Sequence, residues 1–124
     1  MLRTDVTERL RHEHERDGYL FPAYDSYCFG AVPDTVRSIL DAGGRRSLPE
    51  DVFEGVRTDV STVVTVVVDG YGWHSLKRDD ERHAFLDRLT ERGTVTPLTS
   101  VYPSETAAAM TTFETGQLPC EHGR

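Results

Sequence analysis

Lysine is nearly absent from this chain: of fourteen basic residues only Lys77 is one, and the others are arginines. Twenty-one acidic residues stand against them, for a formal net charge of −7. With no basic stripe to neutralise phosphates, the composition argues against a nucleic-acid-binding surface. Long apolar runs are missing too. None approaches the ~18 residues of a membrane-spanning helix. The first seventeen residues are densely charged and hold no apolar signal-peptide core, so no membrane partner is expected and a cytoplasmic location is. Cysteine is scarce, and Cys28 and Cys120 form no C-x-x-C or Cys/His ligand pattern. They read as buried or unpaired thiols of an intracellular protein. An acidic surface that prefers arginine to lysine fits a protein kept soluble in a salt-rich cytosol, which points to a halophilic origin.

The 124 residues suffice for one domain and not for two. Mean hydropathy is −0.48, so burial is confined to a few segments, chiefly residues 62–68 and 98–110. Residues 1–17 read as a polar helix or arm with Leu2, Val6 and Leu10 on one stripe, ended by Gly18. Residues 19–30 are rich in aromatics, expected to pack an N-terminal extension onto the sheet rather than to stack bases. Pro33 opens a short helix that ends before Gly43-Gly44. Arg45-Arg46 reads as a solvated patch, followed by a second short helix over 49–55.

Residues 62–68 form a continuous β-branched run, the pattern of a strand buried on both faces of a parallel sheet. Residues 76–92 read as one helix with Phe85, Leu86 and Leu89 on its apolar face and Gly93 as its stop. Residues 94–101 give a second strand, placed at an edge or bulge by Pro97. Residues 106–115 give the next helix, stopped by Gly116. The expected class is α/β, with a right-handed βαβ unit over 62–115. A helical or irregular extension, residues 1–59, would precede the α/β part, residues 60–124.

In an open α/β sheet, ligands bind beyond the carboxyl ends of the strands. That edge would hold Asp69 after the first strand and residues 102–106 after the second, and so make them neighbours. Asp69 could offer hard oxygens to a divalent cation; an Asp-Gly pair equally serves as a plain turn. Thr106 would stand at a helix N-terminus, where backbone N–H groups and the helix dipole favour an anion. Its hydroxyl is either an ordinary helix cap or a nucleophile that needs activation. The G-Y-G-W-H-S stretch from Gly70 lacks the third glycine of a dinucleotide-binding turn.

Taken together, V-V-V-D-G up to Gly70, P-S-x-T up to Thr106, Thr111-Thr112, Thr115-Gly116, Pro119 and Glu121-His122-Gly123 resemble the alkaline phosphatase superfamily. The resemblance is to its type I phosphodiesterase/nucleotide pyrophosphatase branch, over residues 60–124. It implies the N-terminal part of an alkaline-phosphatase-like parallel sheet with flanking helices. It implies Asp69 as a metal ligand, and Thr106 as both nucleophile and metal ligand. The full domain would use two Zn²⁺ or Mn²⁺ ions on a small phosphodiester or nucleotide substrate, and His122 would have a structural role. His74 and His83 match nothing in the family pattern. Nor does the sequence contain the family's later D-x-x-x-H ligands, so the chain is expected to be an N-terminal fragment of a metal-dependent phosphoric ester hydrolase. The alternative is a non-catalytic remnant or interaction fragment. A phosphomutase or sulfatase of the same superfamily is a further possibility, the sulfatase disfavoured because no C-x-P-x-R segment occurs.

Overall fold

The computed structural model describes residues 1–79 and 83–123. Helix α1 (Thr4–His14) buries Val6 and Leu10, so the expected stripe is its packed face. A two-residue turn at Asp17-Gly18, with φ of 53° and 79°, joins β1 (Glu15–Arg16) to β2 (Tyr19–Leu20) in an antiparallel hairpin. A 3-10 turn, Phe29–Ala31, leads into α2 (Val32–Ile39), which carries Pro33 in its first turn. Residues 49–55 give only a 3-10 turn, Glu50–Phe53. Helices α3 (Trp73–Asp79), α4 (Ala84–Arg92), α5 (Thr106–Thr115) and α6 (Pro119–His122) follow. The predicted helix over 76–92 thus appears as two helices, and its middle, 80–82, lies outside the described residues. Of its apolar face only Leu86 is buried; Phe85 and Leu89 are exposed.

The architecture is mixed, helices with one small two-stranded sheet, and the βαβ unit expected over 62–115 is not formed among the described residues. Residues 62–68 lie outside any strand, with Val64 83 % and Val66 78 % exposed. A strand needs a neighbour for its N–H and C=O groups, and the bridges of residues 94–101 run to the N-terminal segment, none to residues 62–68. Val95 makes a parallel bridge to Leu2, and Thr99 makes one to Cys28. The apolar pattern identified a segment fit for a buried strand without identifying what would flank it.

Burial is concentrated in two clusters. Val6, Leu10, Ala23 and Tyr27 form one, with Val52 and Leu98 against it. Cys28, Val101 and Leu118 form the other, with Tyr24 and Ala109. Each cluster draws on residues before and after position 60, so the N-terminal segment and the 94–123 segment share their packing. Thr99, buried between them, joins the two segments. Its N–H donates to Tyr27 O at 2.8 Å, and its carbonyl accepts from Phe29 N at 2.9 Å. Its hydroxyl accepts from Ala23 N at 2.9 Å and donates to Tyr27 O at 3.0 Å.

A polar clasp closes the first cluster. The Arg3 guanidinium binds both carboxylate oxygens of Asp5, at 2.9 and 2.8 Å, and reaches Asp51 Oδ2 at 2.9 Å. The Tyr27 hydroxyl donates to Asp51, 2.6 Å from Oδ2, and Arg9 stacks over the Tyr27 ring at 4.8 Å. The Tyr27 hydrogen bond, then Arg3, holds the Asp51 carboxyl below its ordinary value. Arg3 lowers Asp5 to about 2.

Two outcomes are expected. Thr99→Val removes the hydroxyl and leaves the buried Ala23 N–H unpaired, costing about 1–3 kcal/mol, read from the urea midpoint. The second concerns acid. Both aspartates have depressed values in the folded state, so their stabilisation is complete above the unfolded value of about 4. It is lost as pH falls from there through about 2 for Asp5. Because both carboxylates are partly or largely exposed, urea midpoints measured across that range should fall modestly, and Asp51→Asn should start lower and fall less.

Candidate functional site

Helix α5 starts at Thr106 because Glu105, the residue before it, is extended (φ −77°, ψ 153°) and takes the N-cap position. This corrects the expectation that Thr106 itself caps the helix. No side chain caps α5. The Thr106 hydroxyl instead donates to Asp69 Oδ2 at 3.2 Å, across 37 positions of sequence. The two predicted site residues are therefore in contact, although the sheet expected to align them is not formed among the described residues.

The pair lies on a cavity of about 450 Å³, also lined by Phe29, Val68, Ser104 and Met110. Both Asp69 and Thr106 are exposed, so water and a small substrate reach them. The first helical bond of α5 runs from Ala109 N to Glu105 O. The N–H groups ahead of it stand outside the helical ladder, at the positive end of the helix dipole. A carboxylate, a hydroxyl and a helix N-terminus thus converge at one mouth.

The far end of α5 is built for support. Gly116 takes a left-handed conformation, φ 70°, and returns its N–H to Thr112 O at 2.8 Å. Arg46 donates to Gly116 O at 3.1 Å and to Glu121 Oε1 at 2.9 Å. Glu121 Oε2 in turn accepts from Leu118 N at 2.6 Å, fixing the start of α6. That bond and then Arg46 hold the Glu121 carboxyl below its usual value. The buried Thr112 hydroxyl shares a 3.0 Å hydrogen bond with His122 Nε2. His122 is thereby a hydrogen-bonding support for α5, and Arg46, expected as solvated surface, is a brace between α5 and α6. His74 and His83 are exposed and away from the cavity.

Residues 63–123 match the family model described as type I phosphodiesterase / nucleotide pyrophosphatase. No curated protein and no solved structure matches the chain. The matched span holds both Asp69 and Thr106, together with the whole brace at the end of α5 apart from Arg46.

A metal centre is what the resemblance implies for the matched span, so the donors present there bear on it. Asp69 and Thr106 supply two hard oxygens, the correct type for a divalent cation. Catalytic zinc takes at least three protein ligands. Among the described residues no group of three or more His, Cys, Asp or Glu side chains could hold an ion. The described residues therefore do not build the two-ion Zn²⁺ or Mn²⁺ centre implied by the resemblance. No helix among them is long and apolar enough to cross a membrane.

Phe29 and Ser104 line the cavity without a site role in the sequence reading. Ser104 sits within P-S-x-T and was visible there. Phe29 comes from a segment whose pairing with Thr99 carries no local pattern.

Gly116→Ala should destabilise the fold by about 1–2 kcal/mol, because an L-residue is strained in the left-handed region. Its Cβ would also lie 3.3 Å from Asp34 Oδ1. Thermal unfolding checks this.

Proposed function

We propose that this chain carries the nucleophile segment of a phosphoric ester hydrolase of the phosphodiesterase/nucleotide pyrophosphatase type. The observation that carries the reading is the 3.2 Å hydrogen bond from Thr106 Oγ1 to Asp69 Oδ2 at the open N-terminus of α5. The family match supports it in that both residues lie within the matched span, at the places the resemblance reads as nucleophile and ligand.

In this reading the substrate is a small phosphodiester or nucleotide, seated with its phosphoryl oxygens toward the N–H groups at the start of α5. Asp69 orients the Thr106 hydroxyl by accepting its proton in a hydrogen bond. The Thr106 oxygen attacks phosphorus as its proton passes to Asp69, the P–O bond to the leaving alcohol breaks, and that alcohol takes the proton up in turn. The product is a phosphothreonyl ester on Thr106, which water then hydrolyses to regenerate the hydroxyl. A divalent ion, when the full ligand set is present, supplies charge neutralisation to the phosphoryl group. Asp69 and Thr106 are the residues of this chain that would face it.

The donor count favours a second reading, in which the chain is a fragment that keeps this half of the site without turnover. Hydrolysis of bis-p-nitrophenyl phosphate, with Zn²⁺ or Mn²⁺ added, separates the two. Thr106→Ala is expected to abolish hydrolysis, by roughly three orders of magnitude or more. Equal turnover in wild type and Thr106→Ala overturns the nucleophile assignment, and no turnover in wild type leaves the fragment reading standing.

A further inference from the structure

The segment 23–29 lies outside the family-matched span, yet it grips the approach to Thr106 at several points. Tyr27, Phe29 and Ala23 all bond to Thr99, seven residues before Thr106. Phe29 lines the Asp69–Thr106 cavity and stacks on Phe113 of α5, with ring centroids 5.6 Å apart. Closest of all to the nucleophile loop, the Tyr24 hydroxyl accepts the Tyr102 N–H at 3.0 Å. Tyr24 is itself half-buried against the Cys28, Val101 and Leu118 cluster, so its hydroxyl is held from a packed base.

Between Tyr102 and Thr106 the chain is short, exposed and without regular structure. Tyr102 is 76 % exposed, so its side chain anchors little. The loop is therefore fixed at its start by the Tyr24 hydroxyl and at its end by the first turn of α5. From this arrangement we infer that Tyr24 is a positioning residue for Thr106, acting through the Tyr102 amide. The inference rests on the reading of Thr106 as the nucleophile, and it adds a residue that the matched segment does not contain.

The test is Tyr24→Phe in the full chain, which removes one oxygen and keeps the ring in its cluster. Tyr19→Phe, the same change at an exposed tyrosine of the hairpin, is the control. Amide exchange at Tyr102 should accelerate roughly fivefold in Tyr24→Phe, as expected for one lost hydrogen bond. In the same variant the Thr106 methyl NMR resonance should move, while the Val6 and Leu10 methyls and the amides of α1 stay unchanged. Unaltered Tyr102 exchange overturns the inference, as does an unmoved Thr106 methyl. Uniform acceleration that includes α1 also overturns it, because the hydroxyl would then stabilise the fold at large. None of these readouts depends on turnover. A failure of Thr106→Ala to alter hydrolysis would refute the nucleophile reading and leave the Tyr24 result separately legible.

Discussion

Thr99 is the residue on which the arrangement of this molecule depends. With backbone and hydroxyl together it makes four hydrogen bonds, all to the segment from Ala23 to Phe29. It is 3 % exposed, so those bonds are not in competition with water, and losing one would strand a buried partner. Everything after it in the chain inherits its position. Val101 enters the second cluster, Tyr102 meets Tyr24, and α5 begins where the Asp69 carboxylate can reach its first hydroxyl. A contact 76 positions apart, from Ala23 to Thr99, thus fixes a local motif.

That explains which parts of the structure could be read from the chain and which could not. Helix α5 was legible almost to the residue, because Gly116 terminates it by a conformation that favours glycine and an Ala-rich run precedes it. Helix α2 was equally plain, with Pro33 in its first turn. The stripe of Val6 and Leu10 was a sound guide to the buried face of α1. The valine run misled, for a specific reason. β-branched residues state a preference for extended backbone and for burial, but both require flanking strands. The bridges of residues 94–101 go to Leu2 and Cys28, and the run is left unpaired by any strand and largely exposed.

The scarcity of lysine also acquires a structural side. The arginines at the two braces do what a single ammonium cannot. Arg3 holds Asp5 through a bidentate fork and still reaches Asp51. Arg46 spans from the carbonyl that ends α5 to the carboxylate that starts α6. Both use the planar, divergent donors of guanidinium, whose fixed fork a lysine's compact ammonium does not reproduce. Nothing in the local sequence marked Arg46 for this, since its partners lie 70 and 75 positions away. Its neighbour Arg45, also drawn from the pair read as surface, donates only its backbone N–H, to Asp34 Oδ2 at 2.9 Å.

What separates Thr106 from an ordinary helix-starting threonine is where its hydroxyl goes. A capping threonine turns its oxygen inward, to accept from an N–H of the first turn, and its proton side faces solvent. Here Glu105 occupies the capping position without making a side-chain cap, and Thr106 is already helical. Its oxygen is therefore not committed to the helix, and its proton is directed to Asp69. In the proposed reading, donation to a carboxylate raises electron density on the threonine oxygen, which favours nucleophilic attack. A one-residue shift of the helix start would reverse this, placing the hydroxyl against the first-turn amides and away from Asp69. The register of α5, held at its far end by Gly116, Arg46 and the Thr112–His122 bond, is thus the element on which the chemistry proposed for its near end relies.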